Sequence, residues 1–170
     1  MSGAIVETPR LLVRAWRDED LEPIAAMFSQ AQTVRYVGKG YQHGFSRDQS
    51  VAMVARLRAR CEKTGIGIWP VELKESHATI GECGLHPVAN SEDTEIAYVF
   101  SPEVQGCGYA TEAASAVLAY AFQELGLSRV VALVHPGNAR SIAVMHRLGM
   151  RFDRVVRVFQ ADVLRYIALP

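Results

Sequence analysis

Glu95-Ile96-Ala97-Tyr98-Val99-Phe100-Ser101-Pro102-Glu103-Val104-Gln105-Gly106-Cys107-Gly108-Tyr109-Ala110 decides how the rest of the chain is read. Residues 95 to 100 are dominated by β-branched and aromatic side chains and read as a strand, which Ser101-Pro102 ends. Beyond the glycines, Ala110, Ala113, Ala114, Val117, Leu118, Ala121, Phe122 and Leu125 recur at three- and four-residue steps. That is the stripe of an amphipathic helix, with Gly126 placed to close it. A strand, a glycine-rich turn and a helix in this order leave the first backbone N–H groups of the helix without intrahelical partners. The helix dipole adds partial positive charge there, and Gly106 and Gly108 let the backbone approach an anion with no side chain between. A pyrophosphate suits such a loop, although two glycines fit an ordinary tight turn equally well.

Two other phosphate-binding patterns are excluded. A nucleoside-triphosphatase loop needs Lys-Ser or Lys-Thr after its last glycine, and Tyr109-Ala110 stands there instead. The dinucleotide fingerprint needs a third glycine and an acidic strand end about twenty residues on, and neither is present.

Upstream of this stretch, Leu11-Leu12-Val13-Arg14-Ala15 reads as an opening strand, and Asp18 or Asp20 can cap a short helix carrying Leu21, Ile24, Ala25 and Phe28 inward. A second helix starts after Ser46 and runs to about Cys61. Ile66 to Leu73 and Ala78 to Leu85, joined by Lys74-Glu75-Ser76-His77, form an antiparallel hairpin. Pro70 cannot donate to a ladder, so a bulge or an edge position is expected at that point. Downstream come a strand at Arg129 to Val134, a helix from Asn138 to Gly149, and strands at Arg151 to Val158 and Gln160 to Ala168. The order β-α-α-β-β-β-α-β-α-β-β is that of a mixed α/β or α+β fold. No repeat or linker divides residues 1 to 170, so one domain is expected.

Composition narrows the function. Eighteen basic and eighteen acidic residues cancel, which removes the broad attraction a dedicated nucleic-acid binder uses. Cys61, Cys83 and Cys107 have neither metal-ligand spacing nor an even count, which points to the reducing cytoplasm and to no metal. The first residues lack the basic and apolar regions of a signal peptide, and no apolar run approaches the roughly 18 residues of a membrane span.

Taken in order, several short patterns resemble the GCN5-related N-acetyltransferase (GNAT) superfamily, and within it the ribosomal-protein alanine acetyltransferase (RimJ/RimL)-like branch. They are Glu7-Thr8-Pro9-Arg10-Leu11-Leu12-Val13-Arg14, Ile80-Gly81-Glu82-Cys83-Gly84-Leu85, Glu95 to Phe100 with Pro102, Gln105-x-x-Gly108-x-Ala110, and Asn138-x-x-Ser141 ahead of Leu148-Gly149-Met150. The resemblance implies a central mixed, twisted sheet of about seven strands flanked by about four helices, with two neighbouring parallel strands splayed at the cofactor site. It implies acetyl-CoA as co-substrate, with its pyrophosphate on the amides of Gln105, Gly106, Cys107, Gly108, Tyr109 and Ala110. Val99 and Phe100 would line the pantetheine arm, and Asn138 would contact the cofactor, while the residues alone favour an ordinary helix N-cap for Asn138.

Acyl transfer needs a neutral amine, yet a lysine amine titrates near about 10.4 and a peptide α-amine near about 7.7 to 8.0, so a base is useful. Glu95 is the candidate, because a carboxylate is disfavoured in so apolar a strand and the resemblance puts a catalytic glutamate there, while the residues alone favour a strand-end carboxylate in water or paired with an arginine. Relatives often carry a tyrosine as general acid in the last helix, where this chain has Met145; Ser141 is the substitute, ahead of Tyr109 and Tyr98. The resemblance implies direct attack in a ternary complex, which leaves Cys107 as loop filler. His86 and His135, each before a proline, can face a cleft but read more readily as structural or exposed. Tyr36, Gly38, Gly40, Tyr41, His43 and Phe45 fall where this fold shapes its acceptor pocket. The expected acceptor is a primary amine of a protein N-terminus, an amino acid or a small metabolite. A non-catalytic acyl-CoA sensor, another nucleotide-binding domain, acyl-chain preference and a homodimer all stay open.

Overall fold

The computed structural model describes residues 3–38, 43–89, 91–158 and 160–170. Eight strands form one sheet: β1 (Ala4–Glu7), β2 (Leu11–Arg14), β3 (Ile68–Leu73), β4 (Ala78–Pro87), β5 (Thr94–Phe100), β6 (Val130–Val134), β7 (Arg151–Val158) and β8 (Ala161–Ala168). The helices are α1 (Leu21–Phe28), α2 (Ala31–Val34), α3 (Arg47–Thr64), α4 (Tyr109–Gln123) and α5 (Ala139–Arg147). This is the expected mixed sheet with two additions. β1 pairs with β2 through residues the sequence left in the lead-in to the first strand, and α2 is a single turn too short to show a period.

The strand order is β1-β2-β3-β4-β5-β6-β8-β7, and every neighbouring pair is antiparallel except β5 and β6. Those two run parallel and share a single rung, Glu95 opposite Val131. Beyond that rung they part. The parallel arrangement requires a crossover, and α4 supplies it, packing on β4 and β5.

Pleating sends alternate side chains to opposite faces. Leu11, Val13, Trp69, Val71, Cys83, Leu85, Ile96 and Phe100 join Ala113, Ala114, Val117 and Ala121 of α4 and Met145 of α5 in the larger core. On the other face Ile24, Met27 and Phe28 of α1 pack with Met53 and Val54 of α3, and Val99 lies against them. Pro70 sits where β2 no longer pairs, since the β2 ladder stops at Val71, and the β3–β4 register slips between Val71 and Glu72. Both outcomes expected of a proline in a strand therefore meet within two residues.

Helix ends follow the local sequence. Ser46 and Gln49 close a reciprocal capping box on α3, which runs on to Thr64 and stops at Gly65, past the expected Cys61. Asp20 precedes α1 but does not cap it. Its carboxylate instead accepts from both Arg14 guanidinium nitrogens (2.8 and 2.9 Å), from the Arg17 amide and from the Thr79 hydroxyl. Arg14 also binds Glu72 at 2.7 Å, and Arg14, Asp20 and Glu72 are all buried. Burial pushes both acids upward, but Arg14 and the other donors outweigh it and hold both below the usual carboxylate range.

Glu82 on β4 has no such partner. It is 4% exposed, one carboxyl oxygen lacks any hydrogen bond, and burial alone raises its pKa from 4.5 to about 8. A raised acid lends its stability below its unfolded value and loses it as pH climbs to its folded value. Stability should therefore fall between about pH 4.5 and about pH 8 and level off above. Glu82→Gln should remove that component, so its thermal midpoint should gain on the wild type across this window; melting curves at several pH values check it.

Candidate active site

Gly106 and Gly108 adopt φ of +86° and +84°, a left-handed conformation that other residues take only with strain. Gly108 is the N-cap of α4, and no side chain caps that end. The first helical bond there is Glu112 N–H to Gly108 O, so among the described residues the amides of Gly108 through Thr111 have no intrahelical acceptor. Unpartnered amides at the start of a fifteen-residue helix form a cradle for an anion. The proposed loop residues Gly106, Cys107, Gly108, Tyr109 and Ala110 thus lie together. Cys107 is exposed.

The cradle is braced from both sides by residues the sequence reading did not single out. From the β1–β2 turn, Arg10 Nη1 donates to Cys107 O at 3.0 Å, its guanidinium lies 4.4 Å over the Tyr109 ring, and its Nε donates to Glu112 at 2.7 Å. Thr8 Oγ1 and the Arg10 amide also donate to Glu112. An acid in the first turn of α4 would repel an incoming anion, and Arg10 neutralises it. From the other side Arg140 of α5 donates to the Gln105 side chain, whose amide nitrogen donates to Phe100 O at 3.2 Å. Thr8 and Arg10 fall within the Glu7–Arg14 pattern with no role attached, because contacts between residues about a hundred positions apart have no local signal.

Val99 and Phe100 end β5 beside the gap that opens past the Glu95–Val131 rung. Their side chains point to opposite faces, Phe100 into the larger core and Val99 toward α1 and α3, so a ligand in the gap meets their backbone edge. β6 ends at the loop leading to α5, where Asn138 Oδ1 accepts from the Ser141 amide at 3.2 Å. The N-cap expected of Asn138 is present. Ser141 lies in the same first turn, and its side chain neighbours the Tyr98 hydroxyl. That hydroxyl is buried without a well-formed hydrogen bond, and burial, partly opposed by Ser141, takes its pKa to about 12. Met145, where a tyrosine was sought, is 1% exposed and belongs to the core.

Glu95 opens the strand at the rung itself, its side chain 15% exposed. Burial raises its pKa from 4.5 to about 7, partly opposed by the Leu133 amide. His86 stands directly opposite on β4, with Nε2 3.4 Å from the Glu95 carboxylate. His135 stacks on Tyr36 at 5.0 Å, and the Tyr36 hydroxyl donates to Gly137 O at 2.9 Å. This joins the segment expected to shape the acceptor pocket to the loop before Asn138. Gly40 and Tyr41 of that segment lie outside the described residues. Among the described residues no group of three or more His, Cys, Asp or Glu side chains converges as a metal site, and no helix is long and apolar enough to cross a membrane.

The model of the acetyltransferase (GNAT) domain matches residues 10–151. The chain belongs to the GNAT acetyltransferase family. YoaA of Bacillus subtilis (strain 168), an uncharacterized N-acetyltransferase, is 35% identical over 157 residues, 91% of this chain and 87% of that protein. The crystal structure of the acetyltransferase (GNAT family) from Bacillus anthracis has a TM-score of 0.82 and 27% identity, covering 99% of this chain and 98% of that one. Mycobacterium smegmatis RimJ, in complex with CoA-disulfide, shares the fold with a TM-score of 0.77 at 21% identity, covering 94% of this chain and 81% of that one.

Gly108→Glu should abolish binding of CoA, because it places an acid in the cradle at a backbone angle that costs a non-glycine residue about 1–2 kcal/mol. Calorimetric titration with CoA checks this, and unchanged affinity would refute the assignment of the loop.

Proposed function

We propose that the chain transfers an acetyl group from acetyl-CoA to a primary amine, by direct attack within a ternary complex, as a cytoplasmic enzyme. The observation that carries the reading is the parting of β5 and β6 beside the unpartnered amides of α4. The gap suits a chain of amide groups such as pantetheine, and the cradle suits the pyrophosphate at its end. The CoA-disulfide bound by the RimJ structure is in keeping with such a ligand. Gln105, Gly106, Cys107, Gly108, Tyr109 and Ala110 would hold the phosphates, the edges of Val99 and Phe100 the arm, and Asn138 the cofactor from the α5 side. The acceptor would be the amine of a small molecule, an amino acid or a protein N-terminus.

Glu95 then lies at the closed end of the gap, where an acid with a pKa near about 7 is poised to take a proton from the acceptor's ammonium group. The neutral amine attacks the thioester carbonyl, and collapse of the tetrahedral intermediate expels CoA thiolate. Ser141, beside the Tyr98 hydroxyl, would relay to that sulfur the second proton shed by the attacking nitrogen, so that the amide forms neutral and the serine ends as a hydroxyl.

Thiol release from acetyl-CoA, followed with a panel of amines, tests the reaction; binding of acetyl-CoA with no release would favour a CoA-binding module without catalysis. With a productive amine, the wild-type rate should rise with pH through about 7 as Glu95 ionises. Glu95→Gln should lower it about a hundred-fold and demand higher pH, with acetyl-CoA affinity kept. Ser141→Ala should lower kcat about ten-fold with little change in amine KM. An unchanged pH profile in the first variant, or an unchanged kcat in the second, removes that residue from its role.

A further inference from the structure

The antiparallel register of β4 and β5 sets His86 directly across from Glu95. His86 Nε2 stands 3.4 Å from a Glu95 carboxylate oxygen, and His86 Nδ1 stands 3.2 Å from the backbone oxygen of Pro87. A carbonyl oxygen can only accept, so the hydrogen bond to Pro87 puts a proton on Nδ1. A neutral imidazole in that tautomer offers only a lone pair at Nε2, and it offers it to a carboxylate oxygen, which is also an acceptor. Two acceptors at this distance repel unless one proton lies between them. The pair therefore carries a single shared proton, either on the Glu95 carboxyl or on Nε2 of an imidazolium.

The surroundings say which form rests. Burial disfavours charge on either partner, lifting Glu95 and lowering His86, and Arg60 of α3 disfavours imidazolium further. From β6 only the Leu133 amide favours the carboxylate. Below about pH 7 the shared proton therefore rests on the Glu95 carboxyl, facing Nε2, and in that form Glu95 cannot act as a base.

We propose that His86 is a positioning residue that draws the resting proton off Glu95 and passes it to solvent, so that Glu95 is free to deprotonate the acceptor. The proposal rests on the role given to Glu95 above. The resting proton moves to Nε2, leaving carboxylate beside imidazolium. Glu95 takes one proton from the acceptor's ammonium group, and the imidazolium yields one proton to water through its side chain, which is 27% exposed. Acetylation of an ammonium by a thioester, with the thiol released protonated, liberates one proton overall, which is the proton that leaves through His86.

The test uses the full chain, acetyl-CoA and an amine that the wild type accepts. His86→Gln keeps the volume and offers Glu95 an amide donor that cannot titrate. It should move the rising limb of the rate to lower pH by about one unit and lower the plateau about ten-fold, with acetyl-CoA affinity unchanged. His86→Ala should lose more, and added imidazole should restore part of the loss. Nitrogen-15 NMR of the free protein should show His86 protonated at Nδ1 near neutral pH. A pH profile for His86→Gln that coincides with the wild type, or no imidazole rescue in His86→Ala, overturns the proposal, as does an Nδ1 without a proton. Absence of amine-dependent thiol release by the wild type would instead overturn the reaction itself, and the proton exit with it.

Discussion

β5 and β6 share one rung and then separate, and the layout of the site follows from that separation. Backbone groups that lose a ladder partner inside a folded chain need another one. Two parallel strands cannot be joined by a hairpin, so α4 must cross over the sheet, and it begins at the carboxyl end of β5. α5 begins in the same way after β6. Both helix starts therefore border one gap, in the position where open α/β sheets receive their ligands, at the carboxyl ends of strands whose neighbours diverge.

The anion cradle depends on residues outside it. Glu112 is a poor neighbour for a phosphate, and it is held by Thr8 and by three nitrogens of Arg10. The same arginine bonds the loop carbonyl of Cys107 and covers Tyr109. The N-terminal hairpin thereby fixes the shape of a loop about a hundred residues away. Arg140 does the corresponding work from α5 through Gln105. Bracing of this kind fixes the loop's conformation in the free protein, and a pre-ordered loop lowers the ordering cost of any ligand it binds.

Three glutamates on the face covered by α1 and α3 show how environment divides one side chain's chemistry. Glu72 faces Arg14 and Arg17 and is held low; Glu82, with one oxygen unpartnered among the described residues, is pushed to about 8; Glu95, across from His86, is left at about 7. Burial acts in the same direction on all three. The partner decides the outcome, and only the acid near neutrality stands beside the gap.

What the sequence by itself determined was local. The apolar run from Ile96 to Phe100, the alanine stripe of α4, the start of α3 after Ser46 and the Asn138 N-cap each depend on residues a few positions apart, and each formed as read. Gly106 and Gly108, read as letting an anion approach, also take left-handed backbone. The strand–loop–helix junction was legible as a candidate anion site, because it carries the helix's first amides within one short stretch. The tertiary structure alone decided who stands opposite whom. Strand register placed His86 on Glu95, sheet order placed Arg10 on Glu112, and pleat parity sent Phe100 into the core while Val99 went to the other face. Asp20, an apparent helix cap, went to Arg14 because a buried guanidinium needs a carboxylate more than an exposed helix end does. Such pairings depend on distances across the sheet, which follow from packing, and packing is a property of the whole chain rather than of any window of it.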